Sequence, residues 1–125
     1  MVATSWVTLA AILMYIWIVV QVGRARGKFQ INAPRMDGPP EFLAVQRVQA
    51  NTVEQMVVFF PALWLCAYAW HDHWAAMGGA IWVIGRIAYA LGYYRDPDKR
   101  SMGFMISTVA LFILIGGAVY GLITR

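Results

Sequence analysis

Hydrophobic positions along this chain fall into four long runs separated by three short polar joints. Val2 to Val22 contains no charged residue. Gln55 to Trp70 contains none either, and it extends backwards through the mixed stretch "EFLAVQRVQANTVEQ". Trp74 to Tyr94 is interrupted by one charge, Arg86, and Ser101 to Thr124 is uncharged throughout. A bilayer core of ~30 Å is crossed by roughly 20 helical residues, and each run supplies them. The strict alternation of barrel strands is missing, so the spanning element must be the helix, which satisfies its own backbone. The first run lacks the basic leader of a signal peptide and is expected to be a retained span.

The joints are read from their turn chemistry. "GRARGKFQINAPRMDGPP", Gly23 to Pro40, is rich in Gly, Pro and charge and is predicted to be a loop. "HDH", His71 to His73, is a tight polar turn. "RDPDKR", Arg95 to Arg100, is a third loop, because Pro97 disfavours helix just before it. No internal repeat interrupts residues 1–125, which are expected to form one domain. The fold class is therefore an all-α membrane protein, a bundle of four transmembrane helices.

Composition strengthens this picture. The chain is 61% hydrophobic and 13% charged, whereas soluble domains run near a quarter charged. A soluble fold this small would lack the polar surface to cover such a core. The net charge of +4 is distributed unevenly. Arg24, Arg26, Lys28 and Arg35 lie in the first joint, Arg95, Lys99 and Arg100 in the third, and the second has no Lys or Arg. The positive-inside rule then puts joints one and three in the cytoplasm and both termini on the opposite side, in a bacterial inner membrane or the endoplasmic reticulum. The basic residues act as a topology signal and do not call for nucleic acid. Cys66 is alone in mid-span and has no partner for a disulfide. His71 and His73 offer no further ligands nearby in sequence, so no metal is expected.

Polar residues inside the spans carry the functional signal, since intramembrane charges are costly. The second helix is expected to start just after Pro39 and Pro40, with Glu41 in its first turn, and to run about 30 residues to Trp70. Arg47, Asn51 and Glu54 follow i, i+4, i+7 spacing and share one face. Glu54 lies roughly 10 Å deeper than Arg47. Gln49 points elsewhere, toward a neighbouring helix or subunit. On the third helix Arg86, Tyr89 and Tyr93 share a face at the same depth, and Arg100 opens the fourth. Taken singly, these residues have plainer roles: an Arg47–Glu54 ion pair, interfacial tyrosines, a basic anchor at Arg100. Their convergence on one leaflet points to a small polar ligand with carboxylates and an amine. Arginines read carboxylates, Glu54 would hold an ammonium, and Asn and Gln would satisfy peptide amides. Glutathione has this set of groups, and an arginine would favour its thiolate.

The stretches "GPPEFLAVQRVQANTVEQ", "FFP" and "GRIAYALGYYRDPDKRSMGF", with "QVGRARGKF" after the first span, resemble the membrane-associated proteins in eicosanoid and glutathione metabolism. Microsomal glutathione transferases and leukotriene C synthases are among them. The resemblance covers nearly the whole chain. It implies a homotrimer with glutathione held between adjacent subunits at the cytoplasmic side, and a hydrophobic electrophile or lipid arriving from the bilayer. It also implies that Arg26, Arg47, Gln49, Asn51, Glu54, Tyr89 and Tyr93 contact glutathione as co-substrate, and that Arg100 activates the thiol. Two positions depart from the pattern. Gln55 stands where many members have an aromatic residue, and Gly27 where leukotriene C synthase has a second arginine. The expected activity is thus a broader glutathione transferase, or a peroxidase acting on lipid hydroperoxides. The competing readings are a non-catalytic lipid-binding scaffold, like the five-lipoxygenase-activating protein, and a small proton-coupled exporter. An isolated subunit is expected to leave Arg86 and Glu54 facing lipid, which a trimer would cover.

Overall fold

The structure, a computed structural model, describes all residues from 1 to 125. It contains α1 (Val2–Phe29), α2 (Pro40–Ala69), α3 (Asp72–Arg95), a 3-10 turn over Pro97–Arg100, and α4 (Ser101–Ile123). All four helices are long and apolar enough to cross a membrane. The chain runs up and down, so the α1–α2 and α3–α4 connections meet at one end of the bundle. The α2–α3 turn and both termini meet at the other, where Thr4 touches Asp72 and Arg125 reaches the Tyr68 carbonyl.

Helix α2 begins with Pro40 at its first position, where the missing N–H costs nothing, and Glu41 in its first turn suits the dipole. Its 30 residues agree with the expected length, and Pro61 sits inside it without ending it. The first joint is shorter than the sequence suggested. Instead of unwinding at Gly23, α1 continues to Phe29. Arg26 and Lys28 in its last turn complement the negative end of the helix dipole. The helix stops at Gln30, which takes the left-handed conformation at φ 55°. The Ile31 N–H then donates to the Arg26 carbonyl at 3.0 Å, satisfying a terminal acceptor. At the opposite turn, α3 starts earlier than expected, at Asp72, because His71 Nδ1 accepts from the His73 N–H at 3.0 Å and caps the helix. The third joint is also mostly helical, since Asp96 accepts from the Asp98 N–H at 3.1 Å and starts the 3-10 turn.

Trp82 stacks on Phe59 with ring centroids 3.8 Å apart, and Ile18, Leu63 and Leu114 pack around them in the core. Only 36 of 125 residues are buried, and large apolar side chains such as Leu13, Val57, Ile84 and Phe112 are more than 60% exposed. That outer surface suits lipid or another subunit rather than water. Helices α3 and α4 approach most closely through glycines. A Cβ at Gly85 would lie 2.7 Å from the Ser107 nitrogen, and one at Gly103 would run into the Tyr89 backbone. This contact carries Tyr89 on α3 up against the start of α4, where Arg100 sits.

Arg86 corrects an expectation. It does not face lipid. It is fully buried within the subunit, and Nη2 donates to Asn51 Oδ1 at 2.9 Å and to Thr52 Oγ1 at 2.7 Å. Helix α3 turns this residue toward α2, a rotation that i, i+3, i+7 spacing leaves open. Glu54 does remain exposed on the subunit surface.

Candidate functional site

At the end where the two basic connections meet, α2, α3 and α4 enclose a cavity of about 490 Å³. Its wall is formed by Arg47, Ala50, Asn51 and Glu54 from α2, Tyr89 and Tyr93 from α3, and Arg100, Ser101 and Phe104 at the start of α4. The volume lies within the range of small-molecule sites, roughly 300–1,000 Å³. Six of the eight residues singled out from the sequence stand on this wall. The α2 trio does so because seven residues of helix return nearly to the same azimuth.

The other two are placed elsewhere. Gln49 points to α1, where its Nε2 donates to the Tyr15 hydroxyl at 3.3 Å. Arg26 lies at the end of α1 and donates from Nη1 to the Arg35 carbonyl at 2.7 Å, with its guanidinium 5.3 Å from the Phe42 ring. The Gln46 amide, turned so that its oxygen faces Arg26, accepts from Nη2 at 3.1 Å and donates to the Met36 carbonyl at 3.0 Å. Both side chains therefore lie outside the cavity of their own subunit. Ala50, one position before Asn51, was not foreseen, and neither were Ser101 and Phe104. The latter two follow Arg100 by one and four positions, so one turn of helix beside a candidate residue was the available signal.

The electrostatics of the wall are open rather than self-paired. The chain's two ion pairs, Lys28–Glu41 at 3.0 Å and Arg35–Asp37 at 3.3 Å, are both outside the cavity. Arg47 and Glu54 do not pair with each other, which removes the plainest structural reading of those two charges. Arg100 donates Nη1 to the Pro97 carbonyl at 2.7 Å and lies 5.6 Å from the Tyr93 ring. One edge of its guanidinium is thus tethered and the rest is available. Tyr89 and Tyr93 meet edge to face at 5.6 Å, and Tyr89 is almost fully buried. The cavity presents two guanidinium groups, one carboxylate, one amide and two phenols, a set that matches a ligand carrying both charges.

A four-helix membrane bundle with a polar cavity among α2, α3 and α4 places the chain among small integral membrane proteins. The sequence profile of the MAPEG family matches residues 4–120, and the chain belongs to that family. It is 33% identical to leukotriene C4 synthase of Bos taurus over 119 residues, covering 95% of this chain and 79% of that protein. It is 35% identical to microsomal glutathione S-transferase 2 of Homo sapiens over 102 residues, covering 80% of this chain and 69% of that one. An uncharacterised protein of Synechocystis, sll1147, is 41% identical over 117 residues, covering 94% of this chain and 85% of its own. The family and the four spans make this an integral, multi-pass membrane protein.

Proposed function

We propose that this protein is a membrane glutathione transferase that joins the glutathione thiolate to hydrophobic electrophiles arriving from the bilayer. The observation that carries this reading is the gathering of unpaired Arg47, Glu54 and Arg100 around one cavity. The similarity to a protein named microsomal glutathione S-transferase 2 supports it. Arg47 takes a carboxylate of the tripeptide, Glu54 its ammonium, and Asn51 and the tyrosines its remaining polar groups. Arg100 holds the sulfur. A permanent cation beside a thiol favours the thiolate, the nucleophilic form. The sulfur attacks an electrophilic carbon, a C–S bond forms, and the bond to a halide or an epoxide oxygen breaks with its electron pair. No metal enters this chemistry.

The protein works as a homotrimer on this reading. Glu54 is exposed within a membrane-spanning helix, a costly state unless a neighbouring subunit covers it. Arg26 and Gln49 bond within their own subunit outside its cavity, and on this reading they border a neighbour's. The basic connections face the cytoplasm by the positive-inside rule, so glutathione enters from there.

The test is conjugation of glutathione to chlorodinitrobenzene by the protein in detergent, together with the ultraviolet difference spectrum of the bound thiolate near ~240 nm. A free thiol titrates near 8.5, and the bound thiol should titrate lower by one pH unit or more. Thiolate is then present at neutral pH and lost as pH falls through the lowered value. Arg100→Ala should keep glutathione binding but return the titration toward 8.5 and slow conjugation at pH 7 roughly tenfold or more. A parent protein that binds no glutathione, or a variant whose thiolate titrates as the parent's does, refutes the corresponding part of the reading.

A further inference from the structure

Arg86 lies behind the cavity wall and not in it. Its side chain is fully buried, it has no carboxylate within ion-pairing distance, and its Nε and Nη1 lack any hydrogen-bond partner. An intramembrane cation without a counter-ion is expensive, and an apolar residue of similar size would pack there at less cost. What Arg86 does contact are two residues of the wall. Nη2 donates to Asn51 Oδ1 at 2.9 Å, and the guanidinium lies 4.1 Å from the Tyr89 ring centre. The same nitrogen donates to the fully buried Thr52 hydroxyl at 2.7 Å, which holds the guanidinium in register with α2.

We propose that Arg86 is a positioning residue that fixes the polarity of Asn51, so that this part of the wall offers only N–H donors and selects a carboxylate or carbonyl oxygen of the ligand. A guanidinium has donors and no acceptor, so only the oxygen of an asparagine amide can face it. With Oδ1 occupied, Nδ2 is the remaining polar atom of Asn51, a residue that lines the cavity. An unrestrained amide would rotate to present either its oxygen or its nitrogen and would accept either kind of ligand group. Arg86 removes that choice. The inference rests on glutathione as the ligand and adds which of its groups meets Asn51: an oxygen, and not the ammonium or a peptide N–H.

The test is a double-mutant cycle on glutathione affinity, measured by calorimetric titration of the full protein in detergent, with thermal melting recorded for every variant. Asn51→Ala should weaken binding roughly tenfold, the loss of about one hydrogen bond to a charged group. Arg86→Met, which keeps length and removes donors, should weaken it by roughly three- to tenfold, because the amide is freed to rotate. The double variant should bind no more weakly than Asn51→Ala alone. Should Arg86→Met fail to fold, Asn51→Asp decides the matter, because it keeps a partner for Arg86. One carboxylate oxygen would then face Arg86 and the other the ligand oxygen, and affinity should fall more than for Asn51→Ala. Asn51→Asp binding as well as the parent would overturn the proposal, as would multiplicative losses from Arg86→Met and Asn51→Ala. Either result leaves the proposed function standing. A parent with no affinity for glutathione removes both.

Discussion

At the end of the bundle that holds the termini, the Asp72 carboxylate accepts from the Ala3 N–H, the Thr4 N–H and the Thr4 hydroxyl at 3.1, 3.0 and 2.6 Å. At the other end, Arg47 and Glu54 occupy the same face of α2 and pair with nothing in their subunit. Both regions put charge at the margin of an apolar bundle. In the first the charge is spent on the chain itself: Asp72 satisfies the free N–H groups that begin α1 and so ties α1 to α3. In the second the groups are held apart by helix geometry and left with bonding capacity. A polar cluster that satisfies itself stabilises a fold, and one that does not is prepared for a ligand or a partner subunit.

If that contrast is right, the two ends separate under mutation. The largest effect is expected at Glu54. Glu54→Gln keeps the shape and removes the charge, so glutathione affinity should fall by roughly 1.5–3 kcal/mol, the worth of a hydrogen bond to a charged group. The melting temperature should barely change. A variant that binds as well as the parent makes Glu54 structural and dissolves the contrast. Next comes Gly103, which belongs to packing and to the cavity at once. A side chain there would press on the Tyr89 backbone and on the Gly85 carbonyl oxygen at 2.7 Å. Gly103→Val should cost about 1–3 kcal/mol of stability by overpacking, and it should weaken binding as α4 and Arg100 are pushed from Tyr89. Loss of stability with binding intact would show that the α3–α4 contact does not set the cavity. The smallest effect is expected from Thr4→Val, at a fully buried position. Removal of the hydroxyl leaves the Asp72 carboxylate short of one partner and should cost roughly 1–2 kcal/mol in thermal melts. Glutathione affinity should be unchanged, and a fall in affinity would mean that the two ends are coupled through the bundle.

Much of this molecule was legible in its residues because a bilayer imposes strong rules. Four long apolar runs of adequate length, with every backbone group needing a partner, leave little choice but four helices. The Arg47, Asn51 and Glu54 face followed from periodicity alone, and the basic residues marked which connections share an end. The joints were less legible. Gly23 and Gly27 looked like loop residues, yet α1 passes through both, since helix-stabilising charges in the last turn and the turn at Gln30 outweigh their weak propensity. Asp72 read as part of a polar turn. Its bonds to Thr4 join positions 68 residues apart, and local pattern holds no information on such a pair.

Arg86 marks the boundary most clearly. Its charge in the third span was plain from the chain, and so was the cost of placing it there. Which way it faced was not, because periodicity assigns residues to a common face without saying what that face meets. Only the docking of α3 against α2 decided that the guanidinium would lie 2.9 Å from Asn51 Oδ1 and be hidden from lipid. Segment length, charge and periodicity are properties of one helix and survive in the sequence. Partners between helices depend on rotation and close approach, which are set by glycines, side-chain volumes and the summed packing of the whole bundle.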